Sequence, residues 1–122
     1  MILLNDFYTL FQHDVAPGSV RAKISINRSH KIFEGHFPGL PIVPGVFMMQ
    51  IIREIMETTT KETLKIAAAD NMKFLSVINP DQNSEVDVAI TYTEDGGTFL
   101  VAATLFAGTV TFFKLKAVLK PV

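Results

Sequence analysis

Cysteine and tryptophan are both absent from the 122 residues. Without thiols the chain has no disulfides, no thiolate metal sites and no cysteine nucleophile. An excess of either charge is missing too. Eleven Lys and Arg against twelve Asp and Glu leave a formal net charge of −1, so there is no general electrostatic reason to sit on nucleic acid or an anionic membrane. No long apolar run is present. The uncharged stretch from Gly35 to Ile52 contains Pro38, Pro41 and Pro44 and falls short of the roughly 20 apolar residues of a spanning helix. The start, Met1-Ile2-Leu3-Leu4-Asn5-Asp6, has no basic region and an early acid, which makes a poor secretory signal. A cytoplasmic location is therefore expected. Neither repeats nor linkers nor low-complexity tracts divide the chain, so residues 1–122 are read as one domain.

What is there is apolar: 48% of residues, with ten Phe against two Tyr. Such a chain can bury enough surface to fold. A monomer of this size buries only about two-thirds of its chain surface, so part of the surplus is expected at an interface or a ligand channel. Leu3, Leu4, Phe7, Leu10 and Phe11 fit a short amphipathic helix, closed by Pro17-Gly18. From Val20 to Ile26 the alternation is strict and predicts a half-buried strand. The Gly- and Pro-rich stretch Gly35–Gly45 forbids regular structure yet is apolar, which marks a packed loop, and packed loops tend to be functional. Val46 to about Thr60 has no breaker and predicts a helix after Pro44, buried on most sides in its first half. Strands are expected at Leu64–Ala69, Met72–Ile78, Glu85–Thr93, Phe99–Phe106 and Thr109–Leu119, with Asp95-Gly96-Gly97 as a hairpin turn. Phe99–Phe106, apolar on both faces, is expected at the centre of the sheet. The order implies an α+β fold in which an antiparallel sheet wraps one helix.

The run Gly35-His36-Phe37-Pro38-Gly39-Leu40-Pro41-Ile42-Val43-Pro44-Gly45-Val46 meets all nine fixed positions of the twelve-residue pattern GHFPGxPxxPGV. With Met72-Lys73-Phe74-Leu75 and Asn79-Pro80-Asp81 downstream, it resembles the 3-hydroxyacyl-(acyl carrier protein) dehydratases of fatty-acid synthesis. The resemblance covers Val20 to Leu119. Residues 1–19 do not show the family's N-terminal His-Arg-Tyr-Pro-Phe type segment. It implies the hotdog fold, a curled antiparallel sheet around one long central helix. It also implies dehydration of carrier-bound 3-hydroxyacyl thioesters to trans-2-enoyl thioesters, with no cofactor and no metal.

That reaction removes a proton α to a carbonyl and expels hydroxide. The base must titrate near neutrality, the natural property of histidine, and the resemblance puts His36 in that role. The developing enolate oxygen needs fixed donors. The Gly45 and Val46 amides, at the helix start, are where the similar enzymes hold the thioester carbonyl. Phe37, Pro41 and Phe47 fall along the implied acyl channel, although a purely structural role for the loop residues fits equally well. Where the similar enzymes carry a Glu or Asp on the helix, this chain has Gln50. An amide can hydrogen-bond a hydroxyl but cannot deliver a proton as a carboxylic acid does. Glu54, one turn on, is read as a solvated or salt-bridged carboxylate rather than a replacement acid.

His13 and His30 lie outside any motif and are read as ordinary surface or loop histidines. The Met48-Met49 pair is read as core. Arg28 and Lys31 are the only cations near the loop that suggest a place for an acidic carrier protein. Two alternatives stand beside the dehydratase. One is a catalytically weakened acyl-binding subunit paired with an active relative, since in similar dimers the loop His and helix acid come from different subunits. The other is a hotdog thioesterase, which also wants a carboxylate where Gln50 stands. A homodimer, or a heterodimer with a related subunit, is implied, with the acyl carrier protein thioester as substrate and neither nucleic acid nor membrane as partner.

Overall fold

The strict alternation around Val20 becomes a strand, and its physical reason is visible in the computed structural model, which describes residues 2–122. In β2, Ser19–Ile26, the side chains of Val20, Ala22, Ile24 and Ile26 are buried while Arg21 and Lys23 are exposed. β2 is the second strand of a six-stranded antiparallel sheet in the order β1-β2-β4-β5-β6-β3. The remaining strands are β1 (Tyr8–Ala16), β3 (Leu64–Phe74), β4 (Glu85–Asp95), β5 (Thr98–Ala107) and β6 (Val110–Pro121). A short helix, α1 (Ile32–Gly35), precedes the loop, and the long helix α2 (Gly45–Thr60) follows it.

Helix α2 starts from Pro44, which stands extended at the N-cap, and ends where Lys61 turns left-handed and returns its N–H to the Glu57 carbonyl. Its Met48, Ile51, Ile52, Ile55 and Met56 share one buried cluster with Val20, Ile24, Val88, Ile90, Val101, Leu105 and Leu115 of the sheet. Burying each such side chain contributes roughly 1.5–3 kcal/mol, so the sheet curls around the helix and only one of its faces is covered. Gly96 and Gly97, with φ of +60° and +84°, join β4 to β5 in two residues. Two positive φ values in succession suit the right-handed twist of a hairpin and are reached easily only by glycine or asparagine.

Two expectations need correction, and a third is met with one addition. Residues 8–16 form an edge strand, not a helix, because pairing with β2 along its length satisfies a backbone that a short isolated helix would leave open. Only Leu3, Phe7 and Tyr8 of the N-terminal segment are deeply buried. The expected pair of strands over 64–78 is a single strand ending at Phe74, because two register shifts, between Ile66 and Ala68 and between Ala69 and Asn71, absorb Ala67 and Asp70 without breaking the pairing to β6. Finally, β5 is interior as expected, yet its outward face is open: Leu100 is half exposed.

Candidate functional site

The loop between the helices is built by its own hydrogen bonds. His36 donates its N–H to the Ile32 carbonyl and so ends α1. Phe37 and Leu40 exchange backbone hydrogen bonds across Pro38-Gly39, with Gly39 at φ +74°. Proline followed by a left-handed glycine is what this type of turn requires. Beyond the turn, Ile42 donates its N–H to the His36 carbonyl and Val43 to that of Ile78. Pro41 and Val43 are buried beneath the loop.

This clasp fixes the imidazole. His36 Nδ1 lies 3.1 Å from the Ile42 carbonyl oxygen, and a carbonyl only accepts, so Nδ1 carries the proton and Nε2 presents its lone pair. The ring stacks on Phe37 at 4.3 Å between centroids. A half-buried imidazole held in that tautomer has the form of a general base.

At the start of α2 the first ladder bonds are those of Phe47 and Met48 to the Pro44 carbonyl. The Gly45 and Val46 N–H groups therefore lie outside the ladder, at the positive end of the helix. Gly45 is also a close approach: a Cβ there would stand 2.6 Å from Cε1 of Phe74. The half-exposed Phe74 ring lies over the helix start and packs on Phe113 at 4.8 Å. Phe74 was not singled out from sequence. Phe47, placed along the acyl channel by the resemblance, is buried and stands edge-on to Phe7 at 4.8 Å.

Gln50 occupies the second turn of α2 and belongs to a polar chain along the helix. Its Nε2 donates to Glu54 Oε2 at 2.6 Å, and Arg53 Nε donates to its Oε1 at 3.2 Å. Arg53 continues to the Leu64 carbonyl and to Glu57, and Glu57 accepts the Leu64 N–H. Glu54 is not solvated, and among the described residues it forms no salt bridge. It is 4% exposed and accepts from the N–H groups of Leu3 and Leu4, from the Tyr8 hydroxyl and from Gln50. Burial, and after it the Glu54 carboxylate, raises the Tyr8 phenol above its ordinary range, which keeps it a donor. The His36 ring is held by Ile42 and Phe37, and the Gln50 amide by Glu54 and Arg53.

This arrangement bears on restoring an acid. In Gln50→Glu a second carboxylate would stand where the Nε2 donor now meets Glu54, so the pair should hold one proton well above the usual carboxylate range. The unfolded chain releases that proton near pH 4.3 or so. Above that value the folded variant binds more protons than the unfolded one, and its stability relative to the native chain falls as pH rises. A loss of about 2–3 kcal/mol at neutral pH, shrinking towards about pH 4, is expected in urea titrations. A loss that does not change with pH would contradict the carboxylate contact.

The other expected residues have ordinary surroundings. Arg28 is paired with Asp81 at 2.7 Å and lies over the Phe33 ring, while Lys31 is exposed. His13 bonds Thr59. His30 is more packed than expected. Its Nδ1 accepts the Ile32 N–H, its Nε2 meets Asp6, and its ring stands edge-on to Phe7. Met48 is buried and Met49 half-buried.

The curled sheet around one helix, with a clasped histidine loop at the helix start, defines a hotdog protein of dehydratase type. The chain belongs to the ApeI-like family: the model of that family, described as ApeI dehydratase, matches residues 12–109. Among curated relatives, a 3-hydroxyacyl-(acyl-carrier-protein) dehydratase FabZ from Fusobacterium nucleatum is 29% identical over 76 residues, covering 58% of this chain and 54% of that protein. The chain thus aligns with little more than half the length of that relative. A chain of the dehydratase heterocomplex ApeI:P from Xenorhabdus doucetiae superposes with a TM-score of 0.74 at 18% identity, covering 92% of this chain and 96% of its own length. The dehydratase domain from the CurJ module of curacin polyketide synthase gives 0.58 at 11% identity, over 93% of this chain and 42% of that one. At these identities the structural likeness establishes the fold. Among the described residues no helix is long and apolar enough to cross a membrane.

Proposed function

We propose that this chain supplies the histidine half of a dehydratase site acting on 3-hydroxyacyl thioesters of acyl carrier protein. The observation that carries the reading is the Nδ1 clasp to Ile42, which leaves His36 Nε2 as a lone pair beside the complete loop. In the reaction Nε2 takes the α-proton of the thioester. The carbonyl, polarised by the Gly45 and Val46 amides, holds the developing negative charge. The β-carbon to oxygen bond then breaks, and the hydroxyl leaves as water once it receives a proton.

That proton has no carboxylic donor at position 50, because Gln50 is an amide tied to Glu54 and Arg53. A second subunit whose helix carries Glu or Asp at the corresponding place would supply it. Two features favour a partner. Strand β3 ends the sheet with no neighbour on its other side, and Met72, Phe74, Leu75 and Val77 are exposed along and just beyond it. An open edge flanked by apolar side chains is a template for pairing. The ApeI:P heterocomplex fits the same reading.

The test is turnover of a 3-hydroxyacyl-carrier thioester by the chain alone and by the chain mixed with an acid-bearing hotdog subunit. General acid catalysis contributes about 10²–10⁴-fold, so the mixture should exceed the sum of its components by at least about tenfold. Equal turnover by the chain alone would remove the need for a partner acid, and an inactive mixture would remove the dehydratase.

A further inference from the structure

The sheet face turned away from α2 carries a groove of about 540 Å³ that has no part in the proposed reaction. Strand register builds it row by row. Reading across the sheet, one row is Asp14, Arg21, Ala89, Thr104, Lys114 and Lys73, and the next is Ala16, Ser19, Thr91, Ala102, Lys116 and Asn71. Small residues in the middle make a floor along β4 and β5. Long cations make the sides, with Arg21 on one and Lys73, Lys114 and Lys116 on the other.

The charge is local and only partly compensated. The chain as a whole carries −1, yet among the described residues none of these four cations forms an ion pair. The carboxylates that strand register puts on this face are Asp14, beside Arg21 on β1, and Glu85, Asp87 and Asp95 on β4, of which Asp87 takes Lys23 at 3.8 Å. Asp70 lies past the lysine side, next to Lys116. None neutralises Lys73 and Lys114, which are direct cross-strand neighbours. Like charges held directly opposite one another are unfavourable in a sheet, so a bound anion would be stabilised here.

The width selects the occupant. Arg21 and Lys114 stand three strand spacings apart, about 14 Å, which leaves a trough between two rows of cations rather than a single point of charge. An α-helix with its side chains is about 10–12 Å across. A second copy of this chain docked face to face would place cations on cations. We propose that this groove receives an acidic α-helix of a partner protein, lying along β4 and β5 with small residues on the floor and Asp or Glu side chains against Lys73, Lys114 and Lys116. The inference does not depend on the dehydratase reading.

The probe is a fluorescent alanine-based helical peptide of sixteen residues or so with Glu along one stripe, titrated with the full-length chain at low salt. Controls are the same peptide with Gln for Glu and a shuffled-order peptide of equal charge. Saturable binding is expected for the striped helix only. It should weaken at least about tenfold, roughly 1.4 kcal/mol, in Lys114→Glu with Lys116→Glu, and less in Arg21→Gln. Lys61→Gln, at the exposed end of α2 and outside the groove lining, should leave it unchanged. If the double variant unfolds, Lys114→Gln with Lys116→Gln removes the same charges without adding repulsion. The proposal is overturned by equal binding of the Gln or shuffled peptide, by unchanged affinity in the lysine variants, or by no saturation up to millimolar peptide.

Discussion

Glu54→Ala should lower the free energy of unfolding by about 3–5 kcal/mol, the usual consequence of removing one member of a buried charged network. Among the described residues four donors converge on this carboxylate: the Leu3 and Leu4 amides, the Tyr8 hydroxyl and the Gln50 amide. Each donor left without an acceptor in the interior costs roughly 1–3 kcal/mol, less wherever water can enter. Two of them are backbone groups that no side-chain rearrangement can re-pair. Glu54→Gln should cost less, because one amide oxygen still serves two of the donors while its NH₂ faces the others. Urea denaturation followed by circular dichroism gives both values. Faster amide exchange at Leu3 and Leu4 in the Ala variant would locate the damage. A loss under about 1 kcal/mol would mean that the four hydrogen bonds do not hold the N-terminal turn on α2.

His36→Ala should reduce turnover by about 10²–10⁴-fold in whichever assembly is active, the range that a positioned general base contributes, while leaving the fold intact. The stability cost is limited to the hydrogen bond to Ile42 and the stacking on Phe37, of order 1 kcal/mol for the bond. The contrast with Glu54 is diagnostic: His36→Ala is expected to cost turnover and little stability, Glu54→Ala mainly stability. Turnover within about threefold of the native value would exclude His36 as the base. So would an unaltered acid limb of the pH–rate profile, since that limb reports protonation of the essential base in the native enzyme.

Local patterns carried much of this structure into the sequence. The alternation of β2, the unbroken run of α2 and the double glycine between β4 and β5 each act within a few residues. The loop was legible for the same reason, because Pro38-Gly39 and Pro44 impose backbone geometry that the surrounding chain has to follow. The misreadings are non-local. Leu3, Leu4, Phe7 and Leu10 have helical spacing, but the amides of Leu3 and Leu4 are claimed by a carboxylate fifty or so residues away. That same contact explains why Glu54 looked like a surface acid: its partners lie on a segment whose arrival on α2 no helical period announces. Asp70-Asn71 resembled a break between strands because polar residues favour turns, whereas β6 held the strand together through two bulges. Phe74 escaped notice because its importance lies in what Gly45 lacks, and a missing Cβ means something only once the ring above it is known.

The polar chain along α2 also sets an order of events. Leu3 and Glu54 are separated by 51 residues, so the N-terminal turn leaves the ribosome long before its acceptor exists. The β1–β2 hairpin is local and forms early, but the turn ahead of it cannot close until α2 is made. Loop-closure entropy places such distant contacts late. The N-terminal turn therefore acts as a latch, shut only on a helix already in place, where the Gln50 to Glu54 hydrogen bond, spanning one turn of that helix, can already stand.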